Sequence, residues 1–487
     1  MSISSQTSNV ITDRLLRSWI RCKRKAWLDQ HGDSTKRAWT AHRTLQLDLQ
    51  HRCFSALIPS KPGTGIAACK KGCPGIIGLR LKGILPPNQL IEAHPPILKR
   101  IKGNSRWGDF AYMPVLTRQG HKLTREHRLS LCFTGLLLEQ FQNSKVKKGM
   151  VIAQGNNGLE IQTLSLYGKL QQQLIDAVRK LNSDLNKSEP PPIISDRRKC
   201  TICSWRVVCN SEAAANGYLS EVSGIGPKRQ QIMEELGIKK IQDLAKINPD
   251  ELSNGLKNFG GQHKDIAHKL ISQARCQETN HEVRLNSNPV FPELENAPGV
   301  LLYDIESDPD ARDDFLHGFI RLNRKSNGEW DLEGAKYQPI LALREHGKDY
   351  CWGRLSKKLN HFKDWPILHY GETESISLLN LAKLQDTNEE ELSALKSRLI
   401  DVHYRLRKHW LLPVNSYRLK TVASWLGFRW HQRGADGARA LLLWRQWRRE
   451  GKELRGPTIT LKSLFRYNKD DCLATWAVIN WMIKQDR

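Results

Sequence analysis

Two acids one residue apart close an apolar run, Leu301-Leu302-Tyr303-Asp304-Ile305-Glu306-Ser307-Asp308-Pro309. In an extended strand the side chains at i and i+2 share a face, so Asp304 and Glu306 would stand side by side. Burying two carboxylates is costly unless a cation compensates them, and a divalent ion is the usual compensation. The same residues also read as a polar strand end with a turn opening at Asp308-Pro309. Far along the chain, Tyr467-Asn468-Lys469-Asp470-Asp471 opens a long apolar helical pattern, and Tyr467 and Asp471, four apart, share a helix face. A third grouping is made of sulfur: Cys200, Cys203 and Cys209 crowd together, while Cys22, Cys53, Cys132, Cys276, Cys351 and Cys472 are scattered.

These groups need elements to hold them. Residues 316–320 read as a second strand, paired with the first as a hairpin, and the short apolar runs at 366–370 and 399–401 read as further strand ends. Asp401 closes the last of these runs, as a helix cap or as a group near the acids. Ahead of the cysteines, Thr12 reads as an N-cap and Gly32 as a stop, with Leu15, Trp19 and Cys22 at helical spacing between them. The pair Cys69 and Cys73 falls in a Gly/Pro/Lys-rich stretch that reads as a surface loop. Residues 183–192 and 286–298 are polar and proline-containing links. Between them, Ser223-Gly224-Ile225-Gly226-Pro227-Lys228-Arg229 lies between helical patterns, with Pro227 in a first turn and Gly237 as a stop. This is a helix-hairpin-helix signature: its glycines permit a tight turn, and the amides at a helix N-terminus favour a phosphate. A plain helical spacer with a glycine turn is the other reading.

The chain has 487 residues, a length suited to about three domains. Its 76 Lys+Arg against 50 Asp+Glu give a formal charge of +26, which points to a polyanionic partner. Ten Lys/Arg face three acids between Arg418 and Gly456, interleaved with Trp425, Trp430, Trp444 and Trp447. Such rings are mostly core, with one or two available to stack on a single strand. No apolar run reaches bilayer length and residues 1–10 lack a signal core, so a soluble cytoplasmic protein is expected. Eleven cysteines there are free thiols or ligands rather than disulfides.

A strand with Asp-x-Glu and a distant helix with Tyr-x-x-x-Asp resembles the DEDD exonucleases of the RNase H-like fold, and among them the YprB-type branch. The resemblance implies a second acidic motif after His369-Tyr370, where Glu374 takes the position and Glu372 is the reserve. Asp304, Glu306, Glu374 and Asp471 would then hold two Mg2+ or Mn2+ ions about 4 Å apart, with Tyr467 orienting the water or the scissile phosphate. Cys22 in Cys-x-Arg-Lys-Ala-Trp-Leu, followed by Cys200, Cys203 and Cys209, is similar to RecB-family nucleases with an iron-sulfur staple. That likeness implies a 4Fe-4S cluster on the four thiolates; zinc accepts the same ligands. In the restriction-endonuclease-type PD-(D/E)XK pattern of that family, Trp107-Gly108-Asp109-Phe110 supplies one acid, Asp109. Leu116 stands in the place of the second, Arg118 in that of the lysine, and Ser130 and Thr134 in those of Gln and Tyr. One acid does not make a cleavage site, so this site is expected to be degenerate.

The expected architecture is an α/β multidomain chain. It comprises a RecB-like domain over 1–212, an all-α helix-hairpin-helix unit over 213–285, and an RNase H-like domain over 286–487. Gly224, Ile225, Gly226, Lys228 and Arg229 would contact a nucleic-acid backbone. The expected function is a metal-dependent exonuclease on DNA or RNA, single-stranded or with a free end. The alternative is a non-catalytic nucleic-acid-binding or scaffold protein.

Overall fold

A computed structural model describes residues 10–486, apart from residues 87, 121, 156–157, 310, 312, 433, 435 and 451–458. The chain divides into two compact units, Met1–Asn210 and Ser211–Arg487. The stretch set off in the sequence as 213–285 lies within the second. No helix among the described residues is long and apolar enough to cross a membrane.

In the first unit a six-stranded sheet runs in the order Gly63–Thr64, Gly75–Ile77, Ile97–Ser105, Gly108–Thr117, Lys148–Gly155, Gly158–Ser165. The helix Arg125–Gln142 packs Leu131, Phe133 and Leu137 into a core shared with Tyr112 and Val151. At its end the buried Gln142 amide takes the Tyr112 N–H at 2.9 Å and donates to the Tyr112 carbonyl at 3.2 Å, satisfying a strand position that has no partner on that side. Thr12 caps the first helix, Asp13–Arg21, through Leu15 N. The chain then breaks at Cys22, which is extended (φ −162, ψ 120), and a second helix, Lys23–His31, follows. The single helix expected from Thr12 to Gly32 is thus two, and Cys22 is the joint. Cys69 is also not on a surface loop: it is fully buried at the end of the helix Gly65–Lys70.

The second unit begins with helices. Gly224 takes φ +99, a conformation that costs other residues, and Pro227 opens the helix Pro227–Glu235. Ile225 points into the helical core with Val222, Ile232 and Leu270. The last long helix here, Ala267–Thr279, leads to the strand Val283–Arg284, which pairs antiparallel with Trp410–Leu411. The link that follows is itself packed, since Val290 and Phe291 are buried in the C-terminal core.

The C-terminal sheet has five strands in the spatial order Lys336–Leu341, Asp313–Asn323, Gly299–Asp308, Ile367–His369, Leu399–Asp401. Numbered along the chain, that is 3-2-1-4-5. The first three are antiparallel and the last two join in parallel. On the central strand Val300 and Leu302 share a core with Cys472 and Ile479 of the terminal helix Ile459–Gln485, while Leu301 and Tyr303 pack with Leu355 and Leu378 on the opposite face. Strand alternation therefore decides which side Asp304 and Glu306 occupy: they continue the row that faces the terminal helix.

A candidate carboxylate site on the C-terminal sheet

Beyond Leu302 the central strand exchanges apolar side chains for acids, and the terminal helix does the same one turn after Tyr467. Asp304, Glu306 and Asp471 each place a carboxylate oxygen within 4.8 Å of the other two. Among the described residues this is the one such group of three His, Cys, Asp or Glu side chains. Glu306 and Asp471 are each 7% exposed, so little water is left to screen them.

Each acid is held. Asn468, one turn before Cys472 on the helix, donates to Asp304 Oδ2 at 2.6 Å and accepts from the Tyr337 hydroxyl at 2.8 Å. The approach is possible because Gly318 lies directly opposite Asp304 in the sheet, where a Cβ would stand 1.6 Å from Asn468 Oδ1. Asp471 accepts from Trp430 Nε1 at 2.6 Å and from the Tyr467 hydroxyl. Next to it, Asp470 takes both the backbone N–H and the ring Nδ1 of His431, at 2.9 and 2.8 Å, so the Trp430-His431 segment grips two successive acids. Lys420 Nζ lies 4.7 Å from the centre of the Tyr467 ring, within the field of Asp471, Glu306 and Asp304.

The electrostatics follow from this crowding. Burial pushes the carboxyls of Asp304 and Glu306 well above the usual range, and the neighbouring acids, Asp471 first, push them further. Burial also raises Asp471, against the opposing pull of Lys420 and the hydrogen bonds from Trp430 and Tyr467. Lys420 is lowered by its own burial and partly restored by Asp471. Buried hard oxygen ligands from two chain segments, repelling one another, form a donor set that fits a divalent cation of the Mg2+ or Mn2+ type.

Glu374 stands outside the tight trio but close enough to raise Asp304. Its Oε2 is buried without a hydrogen-bond partner, and burial chiefly pushes its carboxyl up to about 7. It sits in the first turn of the helix Glu372–Lys383, which starts from Gly371 at φ +114. Asp401 accepts from Gly371 N at 3.0 Å and from Tyr404 N at 3.1 Å, so it caps a helix, and it also stands close enough to Glu374 for its charge to raise that carboxyl. Glu372 is exposed.

In the first unit, Cys22, Cys200, Cys203 and Cys209 line one cavity of about 540 Å³, together with Leu28 and Trp205. Burial raises the thiols of Cys22, Cys200 and Cys209, and neighbouring cysteines of the set add to this. Trp205 Nε1 donates to Asp29 at 2.8 Å, Trp19 Nε1 to Asp184 at 2.8 Å and Arg24 Nη1 to the Pro191 carbonyl at 3.0 Å. These bonds already fasten the first helices to the segment that carries the later cysteines. Asp109 lies elsewhere. It is exposed, and it shares the strand Gly108–Thr117 with Leu116, seven residues further on and therefore about 23 Å away. Asp109 thus cannot share a metal site with a group at Leu116. Leu116 and Ser130 line the cysteine cavity instead, and Arg118 is buried on Glu160. In the hairpin segment Gly224, Gly226 and Lys228 are exposed, whereas Ile225 is a core residue.

Sequence reasoning misses Asn468, Gly318, Trp430 and Lys420 as partners of the acids. Asn468 lies between Tyr467 and Asp471, and Lys420 in the basic, tryptophan-bearing stretch, but a glycine on one strand and an amide 150 residues later carry no local sign that they meet.

Residues 301–483 match the model of the RNase_H superfamily. No curated protein matches the chain. The match spans the five-stranded sheet from its central strand to the terminal helix, so all three clustered carboxylates fall within it. The C-terminal domain is therefore RNase H-like, of the kind found in nucleic-acid hydrolases that use divalent metals.

Proposed function

We propose that the protein is a metal-dependent exonuclease of the DEDD type, cutting phosphodiester bonds of DNA or RNA in its C-terminal domain. The observation that carries this is the convergence of Asp304, Glu306 and Asp471 within 4.8 Å on the sheet of an RNase H-like domain. A pair of Mg2+ or Mn2+ ions, held by these three with Glu374, supplies Lewis-acid charge at the scissile phosphate when bound. The orphaned Oε2 of Glu374 supports its place as the fourth acid. Tyr467, anchored through Asp471, orients the attacking water or the phosphate oxygen, and Lys420 is placed to meet the negative charge of the strand.

In the remaining chain we infer a RecB-like domain without its own cleavage site and a helix-hairpin-helix element. The exposed Gly224, Gly226 and Lys228 side of that element, with the half-buried Arg229, meets the backbone of a single strand or a free end; Ile225 supports the turn from inside. For the four cysteines we infer a 4Fe-4S cluster. The four thiols line one cavity, which supports a single group held between them, and zinc accepts the same ligands.

The test is Asp304→Asn. Mg2+- or Mn2+-dependent shortening of an end-labelled single strand should vanish, with strand binding retained. Undiminished digestion by the variant refutes the site. A wild-type protein that binds strands and never shortens them supports the scaffold reading instead.

A further inference from the structure

Between the helices Asp13–Arg21 and Ala41–Leu57 the first unit has an open groove of about 570 Å³. Arg14, Arg17 and Arg21 reach it from the first helix at helical spacing, and Arg43 and Leu47, four apart, reach it from the other. Lys25 and Arg37 line it as well, so among the described residues six Lys/Arg side chains meet one acid, Glu126. That acid is already engaged, since Arg21 donates to both of its oxygens at 2.6 and 2.8 Å. Arg14 and Arg43 are exposed and make no ion pair with a described residue. The groove therefore carries positive charge that nothing around it neutralises.

Trp39 lies in the same lining and is 57% exposed, whereas tryptophan is ordinarily well buried. Its segment is nonetheless fixed. Ala38 N donates to the Ser204 carbonyl at 2.7 Å, Arg37 Nη2 donates to the Asp29 carbonyl at 3.0 Å, and the Arg37 guanidinium lies 5.1 Å from the centre of the Trp205 ring. The ring thus hangs from the stretch that carries Cys203, and Arg17, Arg21 and Lys25 border both this groove and the cysteine cavity. An open ring on an anchored segment, set among unneutralised arginines, offers a face to a base and donors to its phosphates.

We propose that this groove holds single-stranded nucleic acid, with an unpaired base on Trp39 and phosphates on Arg14 and Arg43. The bases of a duplex are stacked on one another and leave no inner face for the ring, so the single strand is the form that fits. The groove belongs to the first unit alone and is separate from the hairpin segment and the carboxylates. That its strand is also the one cut rests on the nuclease reading.

The experiment measures binding of a labelled single-stranded oligonucleotide to the full chain across a salt series, in the Asp304→Asn background with chelator present. Trp39→Ala should weaken binding about 5- to 150-fold, the loss of one stacked base, with the log–log salt slope unchanged. Trp39→Phe keeps a ring and should recover most of that affinity. Arg14→Gln with Arg43→Gln should flatten the slope by about 1.4, from about 0.7 for each of two phosphate contacts. Lys145→Gln with Lys147→Gln removes the same charge beyond the far end of the helix Arg125–Gln142, about 24 Å along it from Glu126, and should leave the slope as it was. All five positions are exposed, so melting temperatures should not move. Unchanged affinity in Trp39→Ala overturns the proposal. So does a lysine pair that flattens the slope as much as the arginine pair, because the strand would then answer to diffuse charge. An equal loss on a blunt duplex, which has no unpaired base to stack, overturns it too. If Asp304→Asn still shortens the strand once Mg2+ is restored, the nuclease reading fails while these titrations stand.

Discussion

Replacing Gly318 by alanine tests how the site is held. The added Cβ would lie 1.6 Å from Asn468 Oδ1, far inside contact, so the Asn468 side chain must leave. Overpacking of this kind costs about 1–3 kcal/mol. The displaced amide also surrenders its 2.6 Å bond to Asp304 and its 2.8 Å bond from Tyr337. A bond to a charged group contributes about 1.5–3 kcal/mol and a neutral one about 1. Alanine recovers about 0.5–1 kcal/mol through its lower chain entropy, which leaves a net loss of about 4–5 kcal/mol for Gly318→Ala. Asn468→Ala should lose about 3 kcal/mol, through the two hydrogen bonds alone. The double variant carries the hydrogen-bond loss once and no clash, so it should match Asn468→Ala rather than the sum. Denaturant unfolding of the four proteins gives the coupling, expected at about 4–5 kcal/mol. Losses that add to within about 0.5 kcal/mol would refute the contact. Nuclease rate should fall about a hundredfold in all three variants, because Asp304 loses the group that aims it.

Three further outcomes follow from the same geometry. The folded carboxyl of Glu374 sits at about 7 against an ordinary 4.5, so it opposes folding increasingly as pH rises through that window. The cost is complete above about 7 and amounts to at most about 3 kcal/mol; with chelator present Glu374→Gln should flatten that part of the stability profile, and superimposable profiles would contradict the burial of this acid. Tyr467→Phe should lower kcat by about a hundredfold with little change in strand affinity; a purely structural tyrosine would alter melting and affinity together. Cys203→Ser should abolish iron and sulfide content and lower the melting temperature of the full chain, whereas stoichiometric zinc in the wild type would refute the cluster.

Much of the C-terminal site is legible because its logic is local. The alternation from Val300 to Glu306 fixes a face, and the four-residue spacing from Tyr467 to Asp471 fixes another. Glu374 needed the family pattern, since an acid in the first turn of a helix is common. What escaped is non-local or a break in a local pattern. Gly318 and Asn468 meet across the sheet and helix with 150 residues between them, and Trp430 reaches Asp471 from a loop with no periodicity. Cys22 continues the spacing of Leu15 and Trp19, so a single extended residue between two helices leaves no trace in the pattern. Cys69 lies beside lysines, glycine and proline that suggest exposure, yet it is buried by the fold around it. Asp109 and Leu116 look like two motifs until one unbroken strand spans both.

The trio's composition from a strand and a much later helix bears on how the chain is made. Asp471 follows Glu306 by 165 residues, so at about 5–20 residues per second it is synthesised roughly 8–33 s later. During that interval Asp304 and Glu306 belong to a chain without its third carboxylate, without Tyr467 and without Asn468. A nascent chain paused anywhere before the terminal helix has two of the three clustered carboxylates and no closed donor set for a cation. The carboxylate trio is therefore complete only once the last helix has docked on the sheet.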